Sequence, residues 1–410
     1  MTNSSFSFKP NKYVFAGICA TTMALGFIRF DLGLLASMMA QSNWIVSSDI
    51  GNLAAFGMLG AIGGCFTQAN IRNQKQSIKL IQWLVLIIPI TFFLEAFKPN
   101  LQILRLIQFG SGWISGAITT AIPSIVLSFI KDEQKSTAST QIWMGGGLGA
   151  IIGALIIDTL GRGQSPRPVL SFIGVLCVFM CIPVISLLRS YQANLQNKNP
   201  SYPLSSNHNK DQPEIHSNPK RNRQKITVAL VALSAGFILM NISQVPFLAM
   251  QQSIISNKLH ISTSSSSVAY MLLGVGSLLG SVIPSILIHR GAHIKILLQF
   301  FALLGLTSGI LFSLSNSLII FSIAAILYGF WEMCTASLTA GRIFELVPDS
   351  DHTKIWGMTG VFGQSSFAIF GFTSQSSASS NISSILNIGL IALTLHATCE
   401  FIQSHSKINE

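Results

Sequence analysis

The sequence predicts an all-α integral membrane protein whose twelve transmembrane helices form two pseudo-symmetric bundles of six. Half of the 410 residues (50%) are hydrophobic and only 10% are charged, whereas soluble domains carry roughly 25% charged residues. So few charges could not cover the surface of a water-soluble protein of this size. The composition therefore excludes a soluble enzyme, a disordered chain and a nucleic-acid-binding protein, and it indicates the lipid bilayer as a partner.

Apolar runs separated by polar clusters divide the chain into twelve candidate spans. A helix needs roughly 20 residues to cross a bilayer. The predicted spans are 13–39, 50–69, 78–96, 101–129, 137–158, 168–189, 226–250, 266–289, 294–314, 318–341, 355–374 and 382–403. The second, fifth and eleventh spans are rich in Gly, Ala and Ser, which is expected where helices pack closely against one another.

The distribution of Lys and Arg supports both the number of spans and their orientation. If the N-terminus is cytoplasmic, nearly all of these residues outside the spans fall in cytoplasmic segments, and the exceptions are Lys98, Arg162, Arg167 and Lys258. A missed or extra helix would destroy this asymmetry. It also explains the net charge of +11 without a polyanionic partner. We therefore expect a multi-pass membrane protein with both termini in the cytoplasm.

One segment between the spans differs from the rest of the chain. Residues 190–225 are polar, contain Pro200, Pro203, Pro213 and Pro219, and end in a basic cluster, which is the composition of a linker. Six predicted spans precede this segment and six follow it. We predict an N-terminal six-helix bundle over residues 1–189, a cytoplasmic linker over 190–225 and a C-terminal six-helix bundle over 226–410.

Short matches between the two sets of spans suggest an internal repeat. The Gly-Phe-Ile that begins at Gly26 recurs at Gly236, an offset of 210 residues. The Ile-Trp that ends at Trp143 recurs at Trp356, an offset of 213 residues. Because the two offsets are nearly equal, we interpret the spans as a parallel duplication of six-helix halves, with chance similarity of apolar segments as the alternative.

Over essentially its whole length the chain resembles transporters of the major facilitator superfamily, whose two six-helix halves bind substrate between them near the bilayer midplane. The stretch GFIRFDLGLLAS is also similar to the first-helix pattern G-x-G-R-F-x-x-T-P-L-L-P of the bacterial YbfB/YjiJ-type branch, with agreement at Gly26, Arg29, Phe30 and Leu35. Asp31 stands where that branch has a small apolar residue. The resemblance implies the superfamily fold and alternating access in a bacterial inner membrane, and we expect a monomer.

Ionisable residues inside the predicted spans are candidates for a substrate site. Each costs about 2.5–3.5 kcal/mol at a helix centre and normally faces a cavity or a partner. Arg29 lies about 25 Å along the first span from Lys12, Asp31 follows two residues later on another face, and Arg105 lies near the outer end of the fourth span. In the superfamily fold both spans line the cavity, so we expect Asp31 to pair with Arg105, or both to face the cavity at similar depth. Alternatively, Arg105 extends to the outer headgroups.

Glu332 lies near the middle of the tenth predicted span or just below it. A carboxyl group at this depth can bind and release a proton. Glu332 is therefore the first candidate for proton coupling, and Asp31 is the second. The alternative is that Glu332 forms a structural hydrogen bond to a neighbouring helix.

Neutral polar and aromatic side chains complete the predicted substrate site, because a cavity wall is commonly apolar with a few hydrogen-bonding groups. Asn241 is the repeat mate of Asp31, and Gln244 follows about one turn later. The predicted substrate-binding residues are Arg29, Asp31, Arg105, Gln108, Trp113, Asn241, Gln244, Tyr328, Trp331 and Gln364.

These features predict a secondary active transporter that moves a small organic solute by alternating access. The sequence contains no ATP-binding motif, so we expect protons to supply the energy, and Arg29 and Arg105 favour an anionic group on the solute. A proton-driven multidrug or metabolite efflux antiporter and a non-transporting membrane sensor are the alternatives. No enzyme activity, cofactor or metal is expected: the His residues are scattered, and no ligand set accompanies Cys177 and Cys181.

Overall fold

The computed structural model describes residues 11–46, 49–71, 73–161, 165–197, 219–261, 263–347, 349–378 and 382–405. Within these ranges the chain is helical nearly throughout and contains no strand. The all-α part of the predicted fold class is therefore confirmed for the described residues. The residues before and after 198–218 are called the first and second halves of the chain below.

Among the described residues, the first half of the chain contains eight α-helices and the second half contains seven. In the first half they are α1 Lys12–Thr21, α2 Leu32–Gln41, α3 Asp49–Asn70, α4 Gln74–Ala96, α5 Leu101–Leu127, α6 Asp132–Ile142, α7 Met144–Leu160 and α8 Arg167–Asn197. In the second half they are α9 Pro219–Gln244, α10 Gln251–Leu259, α11 Thr263–His289, α12 Ile294–Leu314, α13 Leu318–Leu346, α14 Asp349–Ala378 and α15 Ile382–His405.

Among the described residues, eleven helical segments are long and apolar enough to cross a membrane. The chain is therefore a multi-pass membrane protein. The predicted span 355–374 is not among the eleven, although α14 covers it with a helix of 30 residues. The reason is composition: polar residues interrupt α14, including Gln364, which lines a cavity, and Ser366, whose hydroxyl donates to the main-chain oxygen of Ile238 at 3.0 Å.

The first helix of each half changes to π-helical hydrogen bonding before it breaks. In the first half Thr22–Phe30 is π-helical, the amide of Asp31 donates to the oxygen of Gly26 at 3.0 Å, and α2 begins at Leu32. In the second half Val245–Ala249 is π-helical, and α10 begins at Gln251. The predicted continuous span 13–39 is therefore two helices. Short π-helical stretches occur frequently at functional sites.

One further predicted span differs from the structure. The fifth span consists of two helices, α6 and α7, which meet at Trp143. Within the predicted linker 190–225, α8 continues to Asn197 and α9 begins at Pro219. The centre of that linker, residues 198–218, and the two termini lie outside the described residues.

The buried hydrophobic side chains form two large clusters. One cluster consists of residues between Val14 and Leu188, all in the first half. The other lies mostly between Ala229 and Leu393, but it also includes first-half residues such as Phe30 and Trp143. Large apolar side chains such as Trp83 are exposed on the outside of the helices, as expected of a surface that faces lipid.

Glycines allow close helix contacts at equivalent places in the two halves. A Cβ atom on Gly60 of α3 would collide with the main-chain oxygen of Phe109 on α5. A Cβ atom on Gly276 of α11 would likewise collide with the main-chain oxygen of Ile326 on α13. Glycine is required at both positions because the backbones touch, which explains the small-residue composition of these helices.

The two halves of the chain contact each other on both sides of a central cavity. On the predicted outer side, the hydroxyl of Tyr270 on α11 donates to the main-chain oxygen of Phe30. On the predicted cytoplasmic side, Gly357 of α14 approaches Ala69 of α3 and Thr120 of α5. The cavity between these contacts is therefore the place to look for a binding site.

Candidate functional site

The central cavity is lined by residues from both halves of the chain. Its lining is mainly apolar and aromatic, with a few polar groups, which is typical of small-molecule sites. The lining residues are Leu25, Arg29, Phe30, Cys65, Thr119, Thr120, Trp143, Phe237, Met240, Gln244, Glu332, Met333, Ala336, Trp356, Gly360 and Gln364.

Arg29 extends from the first half of the chain to the second. It lies in the π-helical stretch Thr22–Phe30. Its Nη2 donates to Oε1 of Gln244 at 2.9 Å and approaches Oδ1 of Asn241 at 3.4 Å. Both acceptors are neutral amide oxygens, so the charge of the guanidinium group is not neutralised by these bonds. The predicted substrate residues Arg29, Asn241 and Gln244 are thus brought together.

Glu332 places a buried carboxyl group on the wall of the same cavity. Its side chain comes from α13 and is 2% exposed. It lies close enough to Arg29 for the two groups to interact electrostatically. Its Oε2 has no hydrogen-bond partner among the described residues. The cavity therefore combines a cation from the first half with an acid from the second.

An aromatic wall lies beside these groups. Trp143 and Trp356 meet edge to face with ring centroids 5.9 Å apart, and Phe237 lies 5.3 Å from Trp356 in a similar arrangement. None of the three was among the predicted site residues. A signal was present in the sequence, because Trp143 and Trp356 are the two tryptophans of the repeated Ile-Trp pair. Repeat mates from opposite halves thus pack against each other at the cavity.

Several polar atoms of the lining lack a partner. The oxygen Oε1 of Gln364 and the indole nitrogen of Trp143 are buried and form no hydrogen bond with the described residues. Buried polar groups are nearly always hydrogen-bonded in stable structures. With Oε2 of Glu332, these atoms offer donors and acceptors to a bound solute.

The expectation that Asp31 pairs with Arg105 is wrong. Arg105 lies 3.4 Å from Oδ1 of Asp49, and its guanidinium group lies over the ring of Phe56. Asp31 is fully buried against Gly153 of α7, and neither of its oxygens has a hydrogen-bond partner among the described residues. Asp31 and Arg105 therefore have different neighbours: Asp31 packs against α7, whereas Arg105 has its counter-charge in Asp49.

Asn241 contacts Arg29 but is not part of the cavity lining, and four further predicted residues do not line the cavity either. Gln108 donates to Oε1 of Glu95 at 2.8 Å, and the indole of Trp113 donates to Thr67 at 3.2 Å. Tyr328 shares a hydrogen bond of 3.1 Å with Ser243, and the ring of Trp331 lies 5.3 Å from that of His396. In this conformation all four contribute to packing within one half of the chain.

The side chains that commonly bind metal ions are not grouped in the described part of the chain. No group of three or more His, Cys, Asp or Glu side chains is arranged there to hold a metal ion. The cysteines at 19, 65, 177, 181, 334 and 399 are free thiols. What the cavity can do chemically is to bind a small solute by ionic, hydrogen-bonding and aromatic contacts.

The fold and the cavity define a polytopic helical membrane protein with a cavity between the two halves of its chain. The sequence model of the Major Facilitator Superfamily matches residues 14–371. The chain therefore belongs to the Major Facilitator Superfamily, and this membership supports a membrane transporter. No match was found among curated proteins.

Proposed function

We propose that this protein is a secondary active transporter that moves a small organic anion together with a proton by alternating access. One observation carries the proposal: a cationic side chain of the first half, Arg29, reaches Gln244 of the second half across a cavity that also contains Glu332. Each group is costly inside a membrane. Their convergence on one enclosed space is what a site for a charged solute and a proton requires.

The substrate class follows from the partners of Arg29. A guanidinium group binds a carboxylate through paired, charge-assisted hydrogen bonds. Its partners in this conformation, Gln244 and Asn241, are neutral, so an anionic substrate can displace them with a net gain in electrostatic energy. The wall formed by Trp143, Trp356 and Phe237 favours a substrate with a flat or apolar body.

Proton coupling follows from the position of Glu332. When ionised, this carboxylate attracts Arg29 and competes with an anionic substrate for it. When protonated, it leaves the positive charge of Arg29 available. Proton and anion therefore bind cooperatively, which favours movement of both in the same direction. A proton accompanied by a monovalent anion carries no net charge, so a pH gradient is the expected driving force. Asp31, which is buried against Gly153 of α7, is the second candidate for a proton site.

The number, grouping and orientation of the membrane spans are part of the same proposal. We infer twelve crossings in two six-helix bundles, residues 1–189 and 226–410, joined by the linker 190–225. One of the two large buried clusters lies wholly in the first half and the other mostly in the second half, which supports this division. The placement of Lys and Arg supports cytoplasmic termini. Similarity of the first helix to the YbfB/YjiJ-type branch supports a bacterial inner membrane, and a monomer suffices because the cavity is built from one chain.

The binding step can be tested without knowledge of the natural substrate. Purified protein is screened by thermal melting against small carboxylic acids, each paired with its amide, because a ligand that binds the folded state raises its melting temperature. We expect acids, but not amides, to stabilise the wild type. Arg29→Gln should weaken binding of an acid about ten- to hundredfold, the loss of one charge-assisted hydrogen bond, and Arg29→Lys should lose less. Stabilisation only by bulky cations would contradict the proposal and favour the efflux alternative.

The coupling step is tested with an acid that binds, in proteoliposomes with an imposed pH gradient. The wild type should accumulate the acid on the side that protons enter. Glu332→Gln should still bind the acid, and this affinity should lose the pH dependence that Glu332 causes in the wild type. The variant should not accumulate the acid. Accumulation by Glu332→Gln equal to that of the wild type would show that Glu332 does not couple. Binding without any flux in the wild type would favour the sensor alternative.

A further inference from the structure

A second buried pair of titratable side chains lies inside the second half of the chain. His396 and Glu400 are one turn apart on α15, and both are 0% exposed. Nδ1 of His396 lies 3.0 Å from the main-chain oxygen of Gly236 on α9, and 4.0 Å from Oε1 of Glu400. Neither residue lines the central cavity, so the pair is distinct from the site described above.

Little around the pair can stabilise an isolated charge. Both carboxyl oxygens of Glu400 lack a hydrogen-bond partner among the described residues, and so does Nε2 of His396. The side chain of Gln403 lies close to Glu400. The titratable and polar groups on the helices packed around the pair are Cys399, Gln403 and Ser404 on α15, Lys295 and Gln299 on α12, and Tyr328 and Trp331 on α13.

Among the described residues, the ionisable group within ion-pair distance of Glu400 is His396. The main-chain oxygen of Lys295 accepts from Nε2 of Gln403 at 3.4 Å. On α13, the ring of Trp331 contacts the ring of His396 edge to face. On α9, Gly236 offers a main-chain oxygen.

The charge balance of the pair therefore fixes how many protons it holds. With no proton, the pair carries one net negative charge, and with two it carries one net positive charge. Either net charge is strongly disfavoured in a fully buried position. With one proton the pair is neutral, whether as an acid beside a neutral imidazole or as an ion pair. Strongly interacting sites share a proton in this way, and the count does not depend on which residue carries it.

We propose that His396 and Glu400 form a second proton-binding site, which holds one proton inside the second half of the chain and does not exchange it with the central cavity. The ligand is the proton itself, so no cavity is needed. The site makes the folded second half dependent on pH: losing that proton leaves a buried charge between α9, α13 and α15. This proposal does not depend on the transport function proposed above.

The test follows from proton linkage. Above about pH 7, His396 and Glu400 are both deprotonated in the unfolded chain. In the folded chain the pair holds one proton. The folding equilibrium constant of the wild type must therefore fall about tenfold for each pH unit above about 7, for as long as the folded pair keeps its proton. In Glu400→Gln residue 400 is uncharged, so a neutral His396 leaves no net charge and no proton has to be bound. Reversible unfolding in mixed detergent micelles, measured from about pH 7 to about pH 9, should show the wild-type constant falling about tenfold per pH unit relative to that of E400Q.

The control is Glu345→Gln, because Glu345 has an exposed side chain paired with Arg342. Its folding constant should stay in a fixed ratio to that of the wild type over the same range of pH. Glu400→Met, which is uncharged and unbranched, serves as a second variant if E400Q does not insert. A wild-type constant that keeps a fixed ratio to the Glu400 variants at every pH would overturn the proposal.

Discussion

Gln108 and Glu95 show how a polar residue inside a membrane protein can serve structure. The sequence marks Gln108 as a substrate candidate and cannot reveal its partner, because Glu95 lies on another helix. In the structure the amide of Gln108 donates to the buried carboxyl group of Glu95 at 2.8 Å. The contact between α4 and α5, rather than the residue type, decides the role of Gln108.

We predict that Gln108→Leu destabilises the protein by about 1–3 kcal/mol, because it leaves the carboxyl group of Glu95 buried without its donor. The double variant Gln108→Leu/Glu95→Leu should recover most of this loss, because removing both partners leaves no unsatisfied group. Unfolding of the two variants in detergent measures both changes. A double variant less stable than the single one would show that the pair is not held by this hydrogen bond.

The two arginines inside the predicted spans also differ at this scale. Arg29 lines the cavity, whereas Arg105 forms a partly exposed ion pair with Asp49. Because Arg105 does not line the cavity, Arg105→Ala should retain binding of an acid identified in the melting screen, whereas Arg29→Gln should weaken it about ten- to hundredfold. Equal losses of binding in both variants would place Arg105 in the substrate path.

At the scale of elements, the junction between the first helix and α7 depends on a pair of glycines. A Cβ atom on Gly26, in the π-helical stretch, would overlap the Cα atom of Gly149. The sequence predicts close packing here from its small residues. It does not predict the π-helical turns or the break at Asp31, because these depend on what α7 and α11 place against the first helix.

We predict that Gly26→Ala destabilises the protein by at least about 1–3 kcal/mol, since an added methyl group at a backbone contact forces the helices apart. Gly110→Ala is the matched control, because a Cβ atom there meets nothing within 4 Å. Alanine favours a helix over glycine by up to about 1 kcal/mol, so the control should be as stable as the wild type or more so. Thermal melting measures the stability of both variants. Equal stability of Gly26→Ala and Gly110→Ala would refute the close contact between Gly26 and Gly149.

At the scale of the whole molecule, the halves of the chain meet on both sides of the cavity. Alternating access requires that these contacts open in turn. On the predicted cytoplasmic side, a Cβ atom at position 357 would lie 2.9 Å from the Cβ atom of Ala69. Disulfide-bonded residues have Cβ atoms roughly 3.5–4.5 Å apart, so a cysteine pair at these positions needs only a small adjustment.

We predict that the double variant Gly357→Cys/Ala69→Cys forms a disulfide on oxidation and then loses at least about nine-tenths of its flux, with recovery on reduction, because α3 and α14 can no longer separate. Flux of a bound acid into proteoliposomes measures this effect. Each single variant is a control and should be insensitive to the oxidant. Full flux through the oxidised, cross-linked protein would contradict a rocking motion of the two halves.

The sequence by itself determined the class of protein: a membrane chain with helices at all twelve predicted places, small residues where helices touch, and Arg29 and Glu332 as charges in need of an environment. These features are local, because hydropathy and residue size act within one segment. The tertiary structure alone decided that Arg29 donates hydrogen bonds to Gln244 and Asn241. It likewise decided that Trp143 packs against Trp356 and that Arg105 forms an ion pair with Asp49. Such pairings join residues far apart in the chain, and no periodicity within a single helix encodes them.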